Sequence, residues 1–509
     1  MKTNLEKLEK NQYFFDVHMH VFNLSHAGLL AFLNRFLLSN KLSFKIILDG
    51  KALRKHIFHE LWKLITSKKF YCWIWKGLCS LFKKKNKYKK SIAASVVNTL
   101  SVFENDIARQ FRFIEFDYLM FNHDDSFQKV VSKIRNTVYD ENSNIRKEML
   151  ELKESWDNAG NKNIRINDTD FKRIILNPLM MDFGVKSYQG LPPEKIHYHL
   201  PPRKQIKEQA IDLFNGIHEY YRTSFFRLFE IYPFLAMNTC NLDLDETNAS
   251  EKRFQMTLDK MLDKYFADFS KDDTSEARHD LLLKKLNEYA RSKYSTEPVF
   301  KVPASKSDTR YYYAGIKVYP PLGFDPWPAS NSIELEKVKR LYNYCADKNI
   351  PITTHCSNGG FVVVENSEQF VKPAKWQQVL EYRTDLKLNF AHDGIHNPNI
   401  VDNEWSDMII NQIIQFPNVY FDFSYNGYNE KYYQDLSRFL LKLQNKYSDT
   451  QLKKISERIM FGTDFMVNLF DIESYFQYVK IFSETKVFDG SIFSKKKFCQ
   501  ENPYRFVFG

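Results

Sequence analysis

The sequence predicts an α/β protein: a (β/α)8 TIM barrel with a large, mostly helical insertion after strand 1 and a smaller one after strand 3. Two observations carry this expectation. Short apolar runs each close on a residue able to bind a metal or move a proton: His18 and His20 in FFDVHMHVF, Lys317 in YYYAGIKVYP, His355 in IPITTHCS, His392 in LKLNFAHDG and Asp464 in RIMFGTDF. A parallel barrel delivers the C-terminal end of every strand to one mouth, so residues far apart in the chain converge there. From residue 311 onward the runs also recur regularly, with 38 residues from Lys317 to His355, 37 to His392, 30 to Asp422 and 42 to Asp464. Helical patterns such as IELEKVKRLYNYCADKN and DLSRFLLKLQNKY fill the gaps. That alternation is the mark of βα units on a parallel sheet.

Taken in order, residues 13–22 read as strand 1, where a period of two puts Asp16, His18 and His20 on one face. From about 26 to 165 the pattern is helical, with apolar stripes at Leu29, Leu30, Phe32, Leu33, Phe36 and Leu37 and at Ile57, Leu61, Leu64 and Ile65. Strand signals return in FKRIILNPLMM and RLFEIYPFLAMNT, before a charged helical stretch over 241–300. Apolar runs near 18, 176, 235, 317, 355, 390, 421 and 461 make up the eight strands. Eight βα units need about 250 residues. The remainder falls into insertions over 24–168 and 241–308, both overhanging the mouth, within one domain spanning 13–509.

The chain has 509 residues, 43% of them hydrophobic, which is a soluble globular composition. It has no apolar run long enough for a transmembrane helix. The N-terminal MKTNLEKLEKNQ lacks the apolar core of a secretory signal. Six cysteines without dense spacing suggest free thiols, so a cytoplasmic location is expected. The net charge of +11 belongs to one segment: residues 41–100 carry fifteen Lys or Arg against Asp49 and Glu60, which leaves −2 for the rest. A basic surface is a property of that segment alone. Its core, 57–90, reads as a helical lid with solvated lysines. Trp73, Trp75 and Phe82 beside Lys83–Lys85 equally suit a membrane surface or a phosphate-rich partner. A homodimer is a further expectation.

A His-x-His pair alone is weak evidence, and the chain holds a second copy, His197 and His199, between two Pro-Pro pairs where no interior strand can run. His18 and His20 differ by lying in an apolar strand and pointing the same way. His355 opens into a Cys-Ser-Asn-Gly-Gly loop, and Cys356, facing the other way, is expected to be structural. His392 sits in the same strand-then-turn setting, its neighbour Asp393 being the rival, while His396 reads as a loop residue. Before Asp464, Gly462 permits close approach and Thr463 is expected to support the carboxylate. Lys317 would point into a dry core, where an amine shifts its pKa, pairs with an anion or is chemically modified.

Together these phrases resemble the amidohydrolase superfamily, and within it the amidohydrolase-2 branch that includes aminocarboxymuconate semialdehyde decarboxylase. The likeness rests on DVHMH, GIKVYPP, THCS, AHDG, GTD and the closing NPYRF, and covers about 13–22, 170–240 and 311–509. The two insertions lie outside it.

The resemblance implies that His18, His20, His355 and Asp464 bind a divalent ion, most readily Zn²⁺, with Mn²⁺ and Fe²⁺ as alternatives. It implies that Asp464 moves the proton of the attacking water and that His392 polarises the substrate or acts as acid and base. In dinuclear relatives a carboxylated Lys317 would bridge two metals, with His355 and His392 holding the second ion. In mononuclear ones the lysine stays free to meet substrate, and the YPP after it favours one ion. Tyr319 and Asn358 are expected to contact substrate. The implied activity is hydrolysis of a small amide, ester or lactone, with non-oxidative decarboxylation of an unsaturated or aromatic acid as the first alternative. A TatD-like metal-dependent nuclease and a non-enzymatic scaffold are the readings from other classes.

Overall fold

The structure, a computed structural model, describes residues 4–22, 164–166, 169–182, 206–224, 226–244, 257–291, 311–358, 360–362, 367–394, 403–472, 474–485, 488 and 492–509, with single helical positions between 107 and 154. The basic tract 41–100, His197, His199 and His396 lie outside the described residues.

The described strands are β1 (Tyr13–Met19), β2 (Ile164–Ile166), β3 (Thr169–Phe171), β4 (Arg173–Pro178), β5 (Phe229–Ile231), β6 (Phe234–Ala236), β7 (Gly315–Val318), β8 (Ile352–Thr354), β9 (Leu388–Phe390), β10 (Val419–Asp422) and β11 (Ile459–Met460). Apart from the antiparallel pair β2–β3, every pairing is parallel. A three-stranded sheet runs β1-β4-β5 and a six-stranded sheet runs β11-β10-β9-β8-β7-β6. Each of the eight expected apolar runs therefore contains strand, and helices separate the strands from β7 onward.

One run differs from expectation. The third, RLFEIYPFLAMNT, is two strands: β5 pairs with β4 and β6 pairs with β7. The break falls at Tyr232–Pro233, where proline has no N–H to give to a ladder. The two sheets meet at both margins through isolated parallel bridges, Met19 with Phe465 and Leu179 with Phe234. Backbone bonds run alongside them, from Val17 N to Phe461 O (3.2 Å) and from Met180 N to Phe234 O (3.2 Å).

Four of the helices around β8 to β11 begin on side-chain caps. Asn331, Asn403 and Asn429 each accept from a backbone N–H of the first turn, and Ser448 with Gln451 forms a reciprocal capping box. Between β6 and β7 the described residues include helices Leu258–Phe266 and Ser275–Arg291. The C-terminal helix, Asn502–Phe508, is tied in by Asn502 Nδ2, which donates to Ser456 O (2.9 Å) and Ile459 O (2.8 Å). Its Phe506 packs on Phe234 and Tyr420, and its Phe508 stacks on His279 at 4.3 Å. Buried apolar side chains from strands and helices form one continuous core.

Candidate metal centre

Because the strands run parallel, their C-terminal ends collect the polar residues. His20 follows β1, His355 follows β8, His392 follows β9, Asp422 ends β10, and Asp464 lies four residues past β11. All are buried.

The protonation of each ring follows from its partners. His20 Nδ1 lies 2.8 Å from Leu179 O, a carbonyl that can only accept, so Nδ1 carries the proton. His18 Nδ1 lies 3.2 Å from both oxygens of Asp422 and donates there. Burial pushes the His18 imidazole down to about 3, so it is neutral. In a neutral imidazole with its proton on Nδ1, the Nε2 atom is a bare lone pair. These two lone pairs face one another at 3.3 Å, and Asp464 Oδ1 stands 3.1 Å from His20 Nε2 and 3.4 Å from His18 Nε2. Asp464 Oδ1 has no hydrogen-bond partner among the described residues. Three buried acceptors turned toward one another without a donor repel; a cation between them resolves the repulsion. The donor set therefore fits a divalent ion of the Zn²⁺ type.

His392 joins this group. His18, His392 and Asp464 offer ligand atoms that all lie within 4.8 Å of one another. His355 stands behind, with its Nδ1 3.1 Å from His392 Nε2. The grouping thus sets His392 beside His18 and Asp464, where the expected ligand set had His355. The backbone explains this: His392 and Asp393 adopt left-handed φ of 64° and 48°, which turns the His392 ring to within 4.7 Å of the His18 ring. Asp393 is not drawn in. One of its oxygens accepts from Tyr432 OH at 2.5 Å, and burial holds its carboxyl well above the usual range.

Asp464 also has a left-handed backbone, φ 57°, unusual for a residue with a side chain. Its N–H and that of Thr463 both donate to His18 O, at 2.7 and 3.1 Å. Thr463 was expected to support Asp464; instead its hydroxyl donates to Asp16 Oδ2 at 2.6 Å, beside Tyr475 OH at 2.7 Å. Asp16 also accepts from Thr463 N and His18 N, so it clamps the Asp464 turn to β1. Burial pushes the Asp16 carboxyl up to about 7 against these bonds. Gly462 makes the close approach possible: a β-carbon there would come within 2.7 Å of His18 Cβ. Gly462→Ala is accordingly expected to displace His18 and cut metal affinity at least about tenfold, read by competition with a chelator.

Asp422 and Ser424 were not foreseen as site residues. Asp422 is fully buried and accepts from His18 Nδ1, Asn389 Nδ2 (2.6 Å), Ser424 N (3.1 Å) and His392 N (3.3 Å). Burial opposes its charge, but His18, His392 and Ser424 hold the carboxyl well below the ordinary range. Ser424 Oγ sits between the two rings, 2.9 Å from His18 Nδ1 and 3.0 Å from His392 Nδ1. Both residues orient imidazoles from behind. Asp422→Asn is expected to weaken metal binding about 10–100-fold while the fold survives. A metal titration beside a thermal melt reads both quantities.

Lys317 is 1% exposed on β7, and its Nζ has no hydrogen-bond partner among the described residues. Burial pushes its amine down to about 8, although Asp422 and Asp464 favour the charge. Its Nζ lies 5.8 Å from the Tyr319 ring, which itself lies 4.6 Å from the His355 ring. Tyr319 OH accepts from Phe361 N, whereas Asn358 is exposed on the loop beyond His355. Cys356 is buried and its thiol is pushed well up by burial, which suits a structural role.

A parallel α/β scaffold carrying buried histidines and an aspartate at its strand ends defines a metal-binding enzyme class. Residues 308–508, less than half of the chain, match the Amidohydrolase family. The matched region runs from β7 to the C-terminal helix, while His18 and His20 come from β1 outside it. No curated protein matches the chain. Among the described residues no helix is long and apolar enough to cross a membrane.

Proposed function

We propose that the protein is a metal-dependent hydrolase that attacks a small amide, ester or lactone with an activated water. The observation that carries this reading is the donor-free convergence of His18 Nε2, His20 Nε2 and Asp464 Oδ1. In the same reading, the bridges Met19–Phe465 and Leu179–Phe234 close the two sheets into one (β/α)8 barrel, with 24–168 and 241–308 as insertions over its mouth. His18, His20 and Asp464 would hold the ion, with His392 beside His18 and Asp464 and His355 next to His392 as further nitrogen donors. The ion supplies Lewis acidity and makes water acidic enough to ionise near neutral pH.

The chain's own groups do the rest. Asp464 Oδ1, set 3.1 Å from His20 Nε2 and 3.4 Å from His18 Nε2, is the base of the site. It accepts the water's proton and returns it to the leaving group. His392 is kept neutral by burial, its Nδ1 held by Ser424, so its ring can polarise a substrate carbonyl. Lys317, a buried amine with no hydrogen-bond partner among the described residues, faces a carboxylate of the substrate. Its freedom favours one ion over two and the branch that includes aminocarboxymuconate semialdehyde decarboxylase.

The test is a panel of N-acyl compounds, lactones and carboxylated aromatics offered to the Zn²⁺-, Mn²⁺- and Fe²⁺-loaded protein. Hydrolysis in the first two sets is expected. CO₂ release from the third without hydrolysis would make decarboxylation the reaction. A carboxylated Lys317 would show as about 44 Da of added mass and about two ions per chain, in place of one.

A further inference from the structure

We propose that the N-terminal ends of β8 to β11, opposite the metal centre, hold a small inorganic anion, chloride or phosphate, among Lys387, Arg278 and Arg458. The strands run parallel, so the residues that precede them gather at one end of the sheet, as His20 and Asp464 gather at the other. Lys387 directly precedes β9, and Arg458 directly precedes β11. Arg278, on the helix Ser275–Arg291, reaches the start of β8: its Nη1 donates to Asn349 O (3.2 Å) and its Nη2 to Lys348 O (3.0 Å). Arg458 Nε and Nη2 donate to Pro417 O (3.2 and 2.9 Å), just before β10. Four neighbouring strands therefore begin among three cations.

Two of these cations have no counter-charge. Lys387 is 4% exposed, and its Nζ has no hydrogen-bond partner among the described residues. Charged or neutral, a lysine nitrogen carries N–H groups that need acceptors when buried. Burial pushes its amine well below the usual lysine range, and Arg278 and Arg458 push the same way. Arg458 is partly exposed and, among the described residues, donates only to the carbonyls of Pro417 and Glu457, with its guanidinium 4.9 Å from the Tyr420 ring. The nearby acids are engaged elsewhere: Asp273 with Arg278 (3.0 Å), Glu457 with Arg505 (3.5 Å) and Asp385 with Lys271 (2.7 Å).

An apolar side chain of similar length would fill position 387 without the cost of burying an unpaired nitrogen. A lysine kept there beside two arginines calls for an acceptor from outside the chain. One anion between Lys387 and Arg458 supplies acceptors to the lysine and a counter-charge to both, and the partly exposed Arg458 marks its way in. The anion and the lysine's proton bind together, since each removes the penalty on the other.

Thermal melts of the full chain test this at fixed pH and ionic strength, with gluconate replaced stepwise by chloride or by phosphate. Wild type is expected to gain about 2–5 °C, saturating with concentration, in at least one series. The anion that saturates at the lower concentration is the occupant. Lys387→Met should lose the gain and, in gluconate, melt no lower than wild type, because the unpaired nitrogen is gone. Arg458→Gln should move saturation to at least about tenfold higher concentration, which decides the matter if the methionine variant fails to fold. Anion binding at the metal centre would survive both substitutions. A wild-type melting temperature indifferent to both anions, or a gain retained unchanged in the folded variants, overturns the proposal.

Discussion

Asp464→Asn is expected to lower turnover about 10²–10⁴-fold, the range for losing a positioned acid–base group. The carboxylate is ionised in its histidine surroundings, and the amide that replaces it can neither take a proton nor balance a cation. The fold should persist, because the bonds that place residue 464 come from its backbone N–H and from Thr463 on Asp16, not from the carboxylate. Kinetics on the best substrate of the panel, beside a melting curve, provides the check. Turnover within threefold of wild type would remove Asp464 from proton transfer.

The second large effect concerns stability and lies away from the site. Glu230 on β5 is fully buried and accepts from Arg173 Nη1 (2.5 Å), Tyr232 OH (2.7 Å), His279 Nε2 (3.0 Å) and Tyr13 OH (3.1 Å). It ties β1, β4 and β5 to the helix Ser275–Arg291. Arg173→Met leaves a buried carboxylate without its cation, and about 3–5 kcal/mol of stability should be lost, measured by urea unfolding. Burial raises the Glu230 carboxyl, but His279 and Arg173 outweigh it and hold it at about 2, against 4.5 unperturbed. A depressed carboxylate contributes its stability above pH 4.5 and loses it as the pH falls toward 2, here about 3 kcal/mol. Arg173→Met should flatten that acid limb. A variant as stable as wild type at pH 7 would show the network to be dispensable.

What the sequence made legible was the strand-end chemistry. Apolar runs that stop on His18, His20, His355, His392 and Asp464 announce both the parallel sheets and the place where they discharge, because buried strands tolerate such residues only with a task. Asp422 closed a run in the same rhythm, yet in FDFSY it sits in no ligand phrase, and its role behind His18 depends on a contact 404 residues away in the chain. Ser424 carried no signal, since a hydroxyl after a strand is ordinary until two rings are found against it. The shift of His392 toward His18 depends on two left-handed residues, His392 and Asp393, that no periodicity predicts. Pro233 was the visible clue that the third run is two strands, and the length of that run concealed it.

Metal analysis of the purified wild-type chain beside His18→Ala, His20→Ala and the double variant addresses the central claim most directly. About one divalent ion per chain is expected in wild type, with less than a tenth of that in the double variant while its melting curve stays cooperative. Wild type that takes up no ion from Zn²⁺, Mn²⁺ or Fe²⁺, or a double variant that retains its metal, would contradict the account.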